Sequence, residues 1–194
     1  MSQIKTTIEK SKLILGEGKE DVMFLSQLIE YLEINNIQVN SYGGKDNLNN
    51  YLKTLPLIPG FSNLRSLGIT RDADKSFDDA SKSIEYSLKQ HKLNQIENLK
   101  IEKFILPENS SPGMLEDLCL KSIHTDEISC IENFFQCIET STGRKSNKIS
   151  KAKIYAWLST QEHHDKRLGE AAKAGYIKWD NEAFKELKNF IKNL

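Results

Sequence analysis

Two short apolar runs, each stopping at carboxylates, constrain this chain more than any other feature. Leu13-Ile14-Leu15 leads into Gly16-Glu17-Gly18-Lys19-Glu20-Asp21, and Leu67-Gly68-Ile69-Thr70 leads into Arg71-Asp72-Ala73-Asp74. Runs of this length and type read as strands, and in an α/β sheet the carboxyl ends of neighbouring parallel strands line one crevice. Acids from both runs would face each other there. Unpaired carboxylates held side by side repel and raise one another's pKa, so such a cluster normally exists to hold a divalent cation. The pattern predicts a small magnesium-dependent, phosphate-handling α/β domain.

With 194 residues the chain is long enough for one domain with a substantial core, and two full domains are not expected. Charged residues make up 28% and apolar ones 38%, with no low-complexity tract, the profile of an ordered protein. No apolar run approaches the roughly 18 residues of a membrane span. Met1-Ser2-Gln3-Ile4-Lys5 lacks the apolar stretch of a signal peptide, so a cytoplasmic location without membrane contact is expected. The formal charge is zero but unevenly spread. From Arg144 onward there are 12 Lys/Arg against 6 Asp/Glu, and before it 15 against 21. A basic C-terminal third beside an acidic cluster suits a site that attracts phosphate on one side and metal on the other. Cys119, Cys130 and Cys137 are odd in number, form no C-x-x-C pair and sit on apolar helical stretches, so they read as buried, reduced thiols.

After the first strand, Val22, Leu25, Leu28, Ile29 and Leu32 recur at helical spacing. A second strand is expected over 37–39, a short helix through Leu48, Tyr51, Leu52 and Leu55, a third strand over 67–70, a helix capped by Ser76, and a fourth strand over 101–106. This β-α-β-α-β-α-β order, with right-handed crossovers, means a mostly parallel four-stranded sheet flanked by helices. Further helices are expected over 114–123, 128–138, 149–158 and 183–194. The division is an α/β core over 1–125 and a helical extension over 126–194 packed on it as one structural unit.

Glu17 at a strand end projects into the crevice, and Gly16 and Gly18 allow a tight turn and close approach. Asp21 lies one turn into the following helix and can point back to the same space. Asp72 and Asp74 are two residues apart, so both face one side if the strand geometry persists. Gly43, Gly44 and Lys45 could form an anion-binding turn, and an ordinary turn fits them equally. Gly16-Glu17-Gly18-Lys19 lacks the spacing of an NTP-binding phosphate loop. His163-His164-Asp165 reads as an exposed loop, and Tyr155, Trp157, Tyr176 and Trp179 as core aromatics ahead of base-stacking ones.

Leu-Ile-Leu-Gly-Glu-Gly at 13–18 with Asp-Ala-Asp at 72–74 resembles the TOPRIM domain of topoisomerases, bacterial primases and OLD-type nucleases. Together with Tyr-Gly-Gly-Lys-Asp-Asn-Leu (42–48), Pro-Gly-Met-Leu-Glu-Asp-Leu (112–118), Lys-Ala-Lys (151–153) and Arg-Leu-Gly-Glu-Ala-Ala (167–172), these motifs are similar to an uncharacterised bacterial family of small stand-alone TOPRIM-like proteins. The resemblance implies a metal-dependent nuclease. Glu17 would act in acid-base catalysis and touch the metal, and Asp72 and Asp74 would bind Mg2+ or Mn2+. By similarity to OLD-type nucleases, Asp21 and Glu116 would be further ligands, and Lys151 or Lys153 the catalytic lysine, in two-metal hydrolysis. The implied partner is nucleic acid, with DNA favoured over RNA, and an ATPase is a candidate protein partner because the chain carries no ATPase half. The alternative is a non-catalytic TOPRIM-like adaptor for nucleic acid or protein.

Overall fold

The computed structural model describes residues 7–194; the stretch Met1 to Lys5, read above for a leader, lies outside the described residues. Four parallel strands, β1 (Lys12–Gly16), β2 (Ile37–Ser41), β3 (Ser66–Asp72) and β4 (Lys100–Leu106), lie in the order β2-β1-β3-β4. Ile14 pairs with Val39 on one side and Gly68 on the other, so β1 and β3 are central. Between these strands run α1 (Lys19–Tyr31), α2 (Leu48–Thr54) and α3 (Phe77–Gln90). The direction of winding reverses between β1 and β3, which makes their carboxyl ends the switch point where such sheets bind ligands.

Alternation along the strands sends apolar side chains to both faces, as a sheet covered on both sides requires. Leu13, Leu15, Leu67, Ile69 and Ile105 join Leu48, Leu52, Ile84 and Leu88 of α2 and α3 in one core. Ile14, Phe104 and Leu106 join Phe24, Leu25 and Leu28 of α1 in the other, and the rest of the chain closes that second core. It supplies α4 (Leu115–Leu120), α5 (Thr125–Thr142), α6 (Ile149–Leu158), α7 (Leu168–Lys173) and α8 (Lys185–Asn193). Phe24, Trp179 and Phe184 stack there with ring centres 4.9–6.2 Å apart. Gly68 admits α8 to the sheet, because a Cβ there would lie 2.9 Å from the Phe190 ring.

Ser76 caps α3 as expected, its hydroxyl accepting from the Asp79 amide at 3.2 Å. Three expectations are corrected. The helix α7 falls where the apolar spacing predicts none, since six residues containing a glycine show no period. Cys119 is buried, but Cys130 and Cys137 are exposed, because α5 turns their stripe away from the body. Tyr155 is exposed too, although Trp157 and Trp179 are buried. His163 and His164 lie on an exposed loop. Among the described residues, no helix is long and apolar enough to cross a membrane.

Candidate functional site

Glu17 follows β1 directly, and its turn is pinned from β2: the Gly44 amide and the Ser41 hydroxyl both donate to the Glu17 carbonyl, at 2.8 and 3.0 Å. Gly16 is needed because Asp21 packs against it; a Cβ there would sit 2.9 Å from the Asp21 Cβ. Asp21 closes the first turn of α1, its carboxylate accepting from the Gly18 amide at 2.7 Å. Burial first, and then the neighbouring Asp21 charge, push the Glu17 carboxyl above the usual range, with Arg71 acting in the opposite sense. Asp21 is raised mainly by burial, against the pull of its backbone hydrogen bonds and with Glu116 adding to the rise.

Asp72 ends β3. Beyond it the chain crosses to the loop before α4: Asp74 and Gly113 exchange both backbone hydrogen bonds, at 2.8 and 2.9 Å. That bridge brings the first amide of α4 to Asp72, whose Oδ1 accepts from Leu115 at 3.0 Å. Burial, followed by the charges of Asp21, Glu17 and Glu116, raises the Asp72 carboxyl to about 8. Glu116, in the same first turn, lies with its carboxylate 3.7 Å from the Lys151 ammonium, while Asp117 beside it caps α4 and accepts from Ser150 of α6. The N-termini of α1, α4 and α6 therefore meet the ends of β1 and β3 at one rim.

The expected acids thus share one electrostatic environment, in two halves. Asp21, Asp72 and Glu116 form the inner half, with Lys151 at its edge. Glu17 lies between that half and an outer one made of Asp74, Lys45 and Arg71. Asp74 departs from the strand geometry assumed for it: its φ of +51° turns its carboxylate outward, where it pairs with Lys45 at 3.2 Å. Gly43 and Gly44 do not present free amides for an anion, since one donates to Ser41 and the other to Glu17. Of the two candidate lysines only Lys151 reaches this rim; Lys153 pairs with Glu132 of α5 at 2.7 Å. Glu20 takes no part, accepting from the Gly169 amide of α7 at 3.0 Å. Two further residues stand at the rim, and no motif spacing marks them in the sequence: Arg71, inside the end of β3, and Asp117, beside Glu116.

Among the described residues, no three His, Cys, Asp or Glu side chains converge as a ready metal cage. Asp21 and Asp72 are turned to backbone amides, and Asp74 and Glu116 to lysines. The donor set nevertheless fits a hard divalent cation. All donors are carboxylate oxygens, and three of them are raised by enclosure and mutual repulsion that a cation would relieve.

The C-terminal region of the Burkholderia pseudomallei OLD protein is similar in structure, with a TM-score of 0.49 and 17% identity over 96% of this chain and 98% of that one. The C-terminal region of the Xanthomonas campestris pv. campestris OLD protein gives 0.44 and 17%, over 95% and 93%. No curated protein matches. The family described as protein of unknown function (DUF3226) matches residues 11–194, and the chain belongs to that family.

Proposed function

We propose that this protein is a divalent-metal-dependent phosphodiesterase acting on nucleic acid, with DNA favoured over RNA. The observation that carries the reading is the enclosed Asp72 carboxyl, held beside Glu17 and Asp21 of the β1–α1 turn and Glu116 of α4, and raised to about 8 by burial and by these three acids. A fold retains such repulsion where an ion belongs between the charges. Asp21, Asp72 and Glu116 would hold Mg2+ or Mn2+ from the inner side, and Glu17 and Asp74 from the outer. When bound, such an ion supplies Lewis-acid polarisation of a phosphoryl oxygen and acidifies water.

The chain's own groups divide the remaining work. Glu17, its carboxyl raised above the usual carboxylate range by burial and the Asp21 charge, is suited to take or give a proton during attack on phosphorus. The Leu115 amide and the cap at Gly18 fix Asp72 and Asp21, which keeps two carboxyl groups oriented before substrate arrives. Lys151 offsets charge on the phosphoryl oxygens in the transition state. A separate protein such as an ATPase is the proposed partner. The test is cleavage of plasmid and single-stranded substrates with and without Mg2+ or Mn2+. Activity should require the metal and fall by about a hundredfold or more in Glu17→Gln and Asp72→Asn proteins that remain folded. Cleavage that survives both changes defeats the proposal.

The Lys45–Asp74 and Lys151–Glu116 pairs favour a second reading, because they offset acid charge without an ion. In that reading the crevice belongs to a non-catalytic adaptor. Calorimetric titration with Mn2+ separates the two: no heat, together with salt-sensitive nucleic-acid binding and no turnover, supports the adaptor.

A further inference from the structure

The helix α5 is 18 residues long, yet only Ile131 on it is buried. Its inward seam is Ile128, Ile131, Phe135 and Ile138, and it is tied to α6 by the Trp157 indole donating to Glu127 and by the Lys153–Glu132 pair. One residue round lies a second apolar seam, Cys130, Phe134 and Cys137, at the four- and three-residue spacing of a helix contact stripe. All three are exposed, Phe134 at 55%, and its ring is held edge-on against Phe135 with centres 5.2 Å apart. The phenyl group is thus presented in a set orientation.

We propose that α5 is a self-association surface, in which the Cys130-Phe134-Cys137 seam packs antiparallel against the same seam of a second copy of this chain. Two features select this occupant and this direction. First, the seam reads the same in reverse. With the two-fold axis between Asn133 and Phe134, Cys130 faces Cys137 of the partner subunit, and the two Phe134 rings are neighbours at the centre. Second, the helix starts acidic and the chain just past its end is basic. It begins with Asp126 and Glu127, while Arg144, Lys145 and Lys148 follow its last turn; Lys145 pairs with Glu139 at 3.2 Å, and no Asp or Glu occurs from Thr140 to Gln161. A parallel pair would set acid on acid and base on base. An antiparallel pair sets each acidic start beside the partner's basic end, twice over, and opposes the helix dipoles. A helix of this length is about 27 Å long, so the contact is a small one and the dimer reversible.

The proposal does not depend on the metal reading, since no acid of the crevice lies on α5. Sedimentation velocity over a concentration series tests it. The reduced protein should move reversibly from 22.2 kDa toward twice that mass, and Phe134→Glu should stay at 22.2 kDa with an unchanged thermal melt. Direction is read by treatment with copper-phenanthroline in air, the oxidant that takes two electrons and two protons from each pair of thiols. Wild type should form a covalent dimer, and Cys130→Ser and Cys137→Ser should each lose it. A protein monomeric throughout, or a Phe134→Glu variant that dimerises as before, overturns the interface. Single-cysteine variants that still cross-link overturn the antiparallel arrangement.

Discussion

Asp72 is the residue at which fold and proposed chemistry oppose each other most directly. Its carboxyl is raised to about 8, so the folded protein binds that proton more tightly than the unfolded chain does. The stability linked to this proton is full below the ordinary carboxylate range and is lost as pH climbs from about 4 to about 8. Glu17 and Asp21, also raised, act in the same direction. Asp72→Asn keeps an acceptor for the Leu115 amide and removes the charge. In metal-free buffer at pH 8 this variant is expected to melt higher than wild type, with a gain in stability of several kcal/mol, and to lose any stabilisation by Mg2+. A lower melting point in EDTA would show that repulsion is not what Asp72 contributes. The neighbouring lysines separate in the same way. Lys151→Ala should lower cleavage, whereas Lys153→Ala should leave it near wild type, because Lys153 faces Glu132.

At the scale of elements, close approaches set the site. Gly16→Ala would place a Cβ 2.9 Å from the Asp21 Cβ, pushing the first turn of α1 from the end of β1. The expected cost is about 1–3 kcal/mol, read by urea unfolding, with weakened metal binding in the same protein. Gly169→Ala meets the Met23 Cβ at 2.8 Å and the Glu20 carbonyl at 3.0 Å. A similar loss of stability is expected from prising α7 off α1, but with metal affinity retained. These two variants distinguish a helix contact that builds the crevice from one that only closes the core. Element types were largely legible because strand and helix periods are local; β1, β3, α1, α3 and α6 fall where the apolar spacing puts them. Nothing local shows which of the two apolar seams of α5 packs inward: Ile131 and Phe135 do, while Cys130 and Phe134 do not.

For the whole molecule, the sheet order gathers acids from three segments at one switch point, so ion binding and global stability should be linked. At Mg2+ concentrations about 100 times the dissociation constant the stabilisation is about 2.7 kcal/mol. For a domain of this size that corresponds to a rise in melting temperature of about 5–10 °C, reversed by EDTA. No rise in Mg2+ or Mn2+ at any pH up to 9 would argue for the adaptor reading.

The strand-end positions of Glu17 and Asp72 and the parallel α/β architecture are properties of the sequence, because both follow from apolar runs, their lengths and the residues that stop them. Which acid faces which was decided only in three dimensions. Asp74 turns out to Lys45 because its φ is positive, and Asp72 is capped by an amide 43 residues away because the Asp74–Gly113 bridge folds α4 over it. The choice of Lys151 over Lys153 follows from the rotation of one helix. Such contacts depend on long-range packing and backbone conformation, and residue spacing along the chain does not encode them.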